Sequence, residues 1–143
     1  MKGVDRPALV LDASVALSWC FDDKATAATR EVLVRLDKDT AVAPSLLLLE
    51  VANVLVLAER KKRISPGGTA EFIDLIDKLA IEIEEQTSAR VLHDVLNLAR
   101  GEALTAYDAS YLELAMRLGL PLASKDVALR RAASRLGVPL LGA

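Results

Sequence analysis

Four acidic residues occupy positions at which a carboxylate can do chemistry. Asp12 follows the apolar run Pro7–Leu11, and Asp126 follows the shorter run Pro121–Ser124. Continuous apolar runs of this length predict strands that are buried on both faces of a parallel sheet. Ligands of open α/β sheets bind beyond the carboxyl ends of the strands. Both carboxylates are therefore expected at one crevice.

The other two carboxylates are predicted on helices. Glu50 lies within the predicted helix Ser45–Lys62, which is apolar on nearly every side and has no basic residue within one turn of Glu50. Burying an unpaired carboxylate is costly, so Glu50 needs a partner. Asp108 stands in the first turn of a later helix, in which Glu113 and Arg117 are expected to form an outward-facing i,i+4 pair.

Convergence of these four carboxylates would define a kind of chemistry. Their mutual repulsion would either force protonation or recruit a cation. Oxygen ligands alone favour a hard ion such as Mg²⁺ or Mn²⁺. Such a site activates water and neutralises charge on a phosphoryl group. The arrangement therefore predicts metal-dependent hydrolysis of a phosphodiester.

Helix capping is the structural alternative for three of the four. Asp12 and Asp126 both precede predicted helices and are suited to cap them. The segment Thr105–Asp108 matches a capping box, in which Thr105 caps the helix and Asp108 reaches back. Capping does not exclude catalysis, because the second carboxylate oxygen stays available.

Composition limits the class of protein. The 143 residues predict a single domain (1–143) with an aliphatic core, since 52% are apolar and only 3% are aromatic. The net charge of −2 provides no general basic field, so nucleic acid would need a local patch or metal ions. The single cysteine, Cys20, and single histidine, His93, exclude a disulfide framework and a Cys/His zinc cluster within one chain.

No membrane association is predicted. The longest apolar stretch, Ala41–Ala58, is interrupted by a proline, a glutamate and an asparagine. Near the N-terminus, Lys2 precedes an apolar run, but Asp12 breaks that run and no small-residue cleavage site stands out. The expected location is the cytoplasm.

Strands and helices are predicted to alternate along the chain. This alternation predicts a three-layer α/β domain with a mainly parallel sheet flanked by helices. Ile81–Glu84 alternates in polarity and is expected at a half-exposed edge. The further predicted strands are Thr40–Ala43 and Val138–Leu141, and the further predicted helices are Ala13–Cys20, Thr26–Lys38, a helix after the turn at 65–68 that ends near Leu79, Ser88–Arg100, Tyr107–Leu118 and Val127–Leu136.

Four motifs in this order resemble the PIN-domain family, most closely the VapC-type toxins of bacterial and archaeal toxin–antitoxin pairs. They are LVLDASVALSW, APSLLLLEVANVL, LTAYDASYLELA and LASKDVALRRAA, and together they span nearly the whole chain. The resemblance implies a PIN-like fold with a five-stranded parallel sheet and a Mg²⁺- or Mn²⁺-dependent endoribonuclease. It also implies a homodimer and a small antitoxin protein that wraps the surface and blocks the site.

The resemblance also implies roles for individual residues. Asp12, Asp108 and Asp126 would hold one metal ion, and Glu50 would bind a second ion or position the water. Cleavage would leave a 5′-phosphate and a 3′-hydroxyl. The assisting residues would be Ser14 and Ser124, through hydrogen bonds, and Asn53, which would orient a carboxylate or contact the RNA backbone.

Basic residues near the expected site are candidates for guiding RNA. The candidates are Lys125, which directly precedes Asp126, and Arg130 and Arg131, which follow it on the next helix. Solvated helix faces explain the same residues equally well.

Three alternatives to a toxin nuclease remain. A receiver-like phosphoacceptor domain also gathers carboxylates at strand ends, but here Glu50 and Asp108 are predicted on helices. A non-catalytic binding module would use the acidic site to dock a basic partner segment. A PIN nuclease that acts in RNA processing outside a toxin pair would share every motif.

Overall fold

The computed structural model describes residues 6–143, so Lys2, on which the signal-sequence argument partly rested, lies outside the described residues. Strands and helices alternate along this part of the chain. The strands are β1 (Leu9–Leu11), β2 (Ala41–Pro44), β3 (Ile81–Glu84), β4 (Leu122–Ala123) and β5 (Leu140–Leu141). The helices are α1 (Ala13–Ser18), α2 (Ala27–Arg35), α3 (Leu46–Arg60), α4 (Pro66–Lys78), α5 (Leu96–Glu102, preceded by a π-helical stretch, Arg90–Val95), α6 (Ala106–Leu118) and α7 (Val127–Arg135).

The strands form one five-stranded sheet in the order β3-β2-β1-β4-β5. Every neighbouring pair is parallel. The prediction of a parallel sheet flanked by helices is confirmed, and so is the five-stranded arrangement that the resemblance implied.

The strand order defines where a ligand would bind. From β1 the chain moves outward through β2 to β3, and it then returns to β4 and β5 on the other side of β1. Because parallel crossovers are right-handed, the connections through α1–α4 and those through α5–α7 cover opposite faces of the sheet. The topological switch point therefore lies between the carboxyl ends of β1 and β4, where a crevice opens.

Local sequence explains why several of these elements form where they do. The residues of β1 have no exposed surface, and those of β2 are likewise buried. The edge strand β3 is half-exposed, as its alternating sequence predicts. Helix α4 begins earlier than predicted, because the Ser65 hydroxyl accepts from the Gly68 N–H and Pro66 occupies the first helical position. The segment read as a turn is thus the first turn of a helix.

Helix α6 is more deeply buried than the sequence predicts. It packs on β1 and β2 and also contacts α5 and α7. Glu113 is only 8% exposed, so the expectation that its pair with Arg117 faces outward is wrong. Arg117 Nε lies 2.8 Å from Glu113 Oε2, and the same guanidinium reaches Glu84. A helix covered on several sides has little outward face.

Helix α3 carries apolar side chains into solvent. The exposed fraction of Leu49 is 72%, and Leu48, Val56 and Leu57 are also exposed. Among the described residues, no helix is both long enough and apolar enough to cross a bilayer.

Candidate active site

Asp12 lies just beyond β1 and is held by two serine hydroxyls. The hydroxyls of Ser14 and Ser124 each donate to Asp12 Oδ2 over 2.7 Å. Asp12 is only 4% exposed. Although it precedes α1, its side chain makes no capping hydrogen bond. The capping alternative is therefore wrong for Asp12. The two serine hydroxyls fix Oδ2, and neither of them binds Oδ1.

The same two serines join the ends of β1 and β4. Ser14 Oγ accepts from the Lys125 backbone N–H over 2.8 Å, and Ser124 Oγ accepts from the Asp126 N–H over 3.0 Å. Each hydroxyl thus uses one donor and one acceptor function at the switch point. This network sets the position of Asp12 relative to the segment that carries Asp126.

Asp126 and Asp108 stand at the starts of two helices. Asp126 caps α7, because its Oδ2 accepts from the Leu129 N–H over 2.8 Å. In α6 the Thr105 hydroxyl accepts from the Asp108 N–H over 3.1 Å, and only this half of the predicted capping box forms among the described residues. Neither role occupies the whole carboxylate, so both side chains remain available to the crevice.

Glu50 finds its partner far away in sequence. The hydroxyl of Tyr111 donates to Glu50 Oε1 over 2.5 Å, across 61 residues of chain. Tyr111 is fully buried, whereas Glu50 is half-buried. The sequence indicated that Glu50 needs a partner but not which residue supplies it. One usable signal existed, since a buried tyrosine hydroxyl itself requires a hydrogen-bond partner.

Electrostatic coupling links the four carboxylates. Burial raises the pKa of Asp12 against the opposing serine hydrogen bonds, and Asp126 raises it further. Burial also raises the pKa of Glu50, with an added contribution from Asp12. Burial together with the charges of Asp126, Asp12 and Glu50 raises the pKa of Asp108 to about 6. The four carboxylates therefore interact electrostatically with one another, as expected if they converge on one crevice.

The donor set suits a hard divalent cation in its chemistry, since it consists of carboxylate oxygens. Within residues 6–143, however, no three His, Cys, Asp or Glu side chains stand close enough together to hold a metal ion. A cation would have to draw the carboxylates inward from these positions. A positive charge placed there would offset the repulsion that, after burial, raises the pKa values of Asp12, Glu50 and Asp108.

The remaining predicted residues differ in how far they join this cluster. Asn53 is exposed, and no hydrogen bond within the described residues connects it with the carboxylates. The Lys125 ammonium donates to the Lys24 carbonyl. Arg130 Nη1 donates to the carbonyls of Ser124 at 2.7 Å and Leu141 at 3.0 Å, whereas Arg131 is exposed. Arg130 therefore uses one guanidinium nitrogen to bind two backbone carbonyls at the carboxyl ends of β4 and β5.

The fold is an α/β domain with acidic residues gathered at the carboxyl ends of β1 and β4, its topological switch point. Residues 9–135 match the sequence profile described as PIN domain. The chain therefore belongs to the PIN-domain family, whose members are nucleases. The resemblance seen in the four motifs is confirmed at the level of the family. A search of curated protein sequences finds no match.

Several solved structures share the fold. PAE2754 from Pyrobaculum aerophilum superposes with a TM-score of 0.71 at 22% identity, covering 94% of this chain and 83% of that chain. VapBC2 from Rickettsia felis, solved bound to a DNA fragment from their promoter, has a TM-score of 0.64 at 12% identity and covers 93% and 96%. FitAcB from Neisseria gonorrhoeae has a TM-score of 0.62 at 13% identity and covers 92% and 95%. At these identities the likeness concerns the fold.

Proposed function

We propose that the chain is a Mg²⁺- or Mn²⁺-dependent endoribonuclease and the toxin of a VapBC-type toxin–antitoxin pair. The observation that carries the proposal is the electrostatic coupling of Asp12, Glu50, Asp108 and Asp126 at the sheet edge of a PIN domain. Membership of a nuclease family supports hydrolysis of a phosphodiester. The VapC-like motifs and the fold shared with VapBC2 support the toxin assignment.

The four carboxylates take two kinds of role in the proposed reaction. Asp12, Asp108 and Asp126 hold the cation, and Glu50 positions the attacking water or binds a second ion. The cation supplies charge neutralisation at the phosphate and lowers the pKa of bound water. Ser14 and Ser124 keep one oxygen of Asp12 fixed, so that the other is presented in one orientation.

Substrate contacts would come from the basic residues beside the crevice. We propose that Lys125 and Arg131 contact phosphates, and that Arg130 contributes the guanidinium N–H groups that do not bind the carbonyls of Ser124 and Leu141. Asn53, on the exposed side of α3, is suited to the RNA backbone rather than to holding Glu50. These contacts would supply affinity without reading base sequence.

Cleavage of total RNA tests the proposal. The purified chain, free of any partner, is incubated with total RNA in Mg²⁺ or Mn²⁺, with EDTA, and as the Asp12→Asn variant. We expect discrete fragments only from the wild type with metal, because the isosteric amide keeps the shape but removes the charge. A fully active Asp12→Asn variant would refute the assignment. Absence of cleavage with either metal would favour the binding-module alternative.

An antitoxin partner is part of the proposal. Between α3 and α4 lies an open apolar groove of about 210 Å³, lined by Leu47, Val51, Leu55, Phe72 and Ile76 among others. An apolar groove of this kind accepts an amphipathic helix from another chain. We assign it to the antitoxin, whose basic end would then neutralise the neighbouring carboxylates. A PIN nuclease of RNA processing would share the cleavage chemistry but lack such an inhibitor.

A further inference from the structure

Tyr111 makes a contact that neither capping nor core packing requires. Its ring has no exposed surface, yet its hydroxyl ends against the half-buried Glu50 carboxylate, 2.5 Å from Oε1. A buried tyrosine hydroxyl needs a hydrogen-bond partner, and here that partner is one of the four acidic side chains of the candidate site. The hydroxyl is therefore the informative part of this side chain.

The phenol oxygen lies where three acid-bearing elements meet. Tyr111 follows Asp108 by one turn of α6, and its hydroxyl donates to Glu50 on α3. The charge of Asp12, which precedes α1, also raises the pKa of the phenol, so a third carboxylate lies nearby. The hydroxyl thus links α6 to α3 close to the residue that precedes α1.

The Tyr111 hydroxyl is a hydrogen-bond donor at neutral pH, as an ordinary phenol is. Burial, together with the hydrogen bond to Glu50, raises the pKa of Tyr111 far above its ordinary value. The phenol therefore stays protonated and remains a donor. It fixes Glu50 Oε1, and Oε2 is the oxygen left for a cation or a water molecule.

We propose that Tyr111 is a positioning residue, which holds the Glu50 carboxylate in the orientation that the active site needs. The inference rests on the proposed function for its catalytic consequence, but the hydrogen bond itself does not depend on it. A partner in this supporting position orients its carboxylate in the way that outer-shell groups orient metal ligands.

The test compares Tyr111→Phe with Tyr107→Phe, which removes a hydroxyl from the same helix at a 63% exposed position. We expect Tyr111→Phe to weaken Mn²⁺ binding, measured by calorimetry, and to lower kcat for RNA cleavage, each by about 10- to 100-fold. The KM for RNA should change little, and Tyr107→Phe should resemble the wild type. Circular dichroism and thermal melting verify that both variants are folded.

A double-mutant cycle separates positioning from a general structural role. In the Glu50→Ala background, Tyr111→Phe should cause no further loss of Mn²⁺ affinity, because Tyr111 acts only through Glu50. Losses that simply add would overturn the proposal, as would wild-type Mn²⁺ affinity and kcat in Tyr111→Phe. If the wild type binds Mn²⁺ but cleaves no RNA, the proposed function fails, and the Mn²⁺ cycle still decides the role of Tyr111.

Discussion

Asp12 and Asp108 represent two ways of keeping a carboxylate ready for a cation. The carboxylate of Asp12 is buried and held by two hydroxyls, which oppose the rise in its pKa. Asp108 is less buried but faces three other carboxylates, and its pKa rises to about 6. In both cases the ionised form is less favourable in the folded protein than in the unfolded chain. The site therefore lowers stability in exchange for cation affinity.

The Asp108 charge predicts a pH-dependent stability of the metal-free protein. Its pKa is higher in the folded chain than the ordinary 3.8, so the folded state binds more protons between about pH 4 and 6. Stability therefore falls as the pH rises through this window. Asp108→Asn should melt roughly 2–6 °C above the wild type at pH 7.5, and the gain should disappear near pH 4.

Differential scanning calorimetry in EDTA at both pH values checks this prediction. Asp74→Asn, which removes a carboxylate from the exposed face of α4, is the matched control and should melt with the wild type. A destabilised Asp108→Asn at pH 7.5 would contradict the electrostatic explanation.

At the level of secondary structure, the sequence predicted most of what is observed. The apolar run before Asp12 and the one before Asp126 each gave a buried strand, since a strand covered on both faces needs a continuous apolar sequence. Periodicity cannot identify contacts between distant helices. The bond from Tyr111 to Glu50 and the burial of Glu113 depend on how α3 and α6 pack, and this information is not local.

Arg130 shows how a helix can brace the site. Its guanidinium, on α7, donates to the carbonyl of Ser124, which follows β4, and to the carbonyl of Leu141, the last residue of β5. We expect Arg130→Met to lower the free energy of unfolding by about 1.5–3 kcal/mol, because it removes a charged donor from two carbonyls. Arg131→Met, at the exposed neighbouring position, should change it by less than about 0.5 kcal/mol.

Urea unfolding followed by circular dichroism compares the two variants. Equal stability of Arg130→Met and Arg131→Met would contradict the bracing role. Impaired RNA cleavage in Arg131→Met without loss of stability would identify that residue as a substrate contact.

The whole molecule presents apolar surface that predicts association with other chains. We expect a homodimer in solution, which multi-angle light scattering would detect as twice the 15.3 kDa mass of one chain. A mass of 15.3 kDa at micromolar concentration would contradict this prediction.

Charged substitutions test whether the antitoxin binds the groove between α3 and α4. Leu48→Glu combined with Ile73→Glu places carboxylates on the exposed lining of the α3–α4 groove. This double variant should keep RNA cleavage but escape inhibition by a co-expressed antitoxin, because burying these charges is costly. Leu92→Glu, at an exposed leucine before α5, is the control and should remain inhibited. Inhibition of all variants alike would place the antitoxin elsewhere.

The central claim is that the four carboxylates of this PIN domain close around a divalent cation. Anomalous X-ray diffraction from a crystal of the chain soaked in Mn²⁺ measures this directly. We predict a peak bounded by Asp12, Asp108 and Asp126, with Glu50 beside it, and no such peak in Asp12→Asn. A Mn²⁺ peak away from this crevice in a protein that still cleaves RNA would contradict the account.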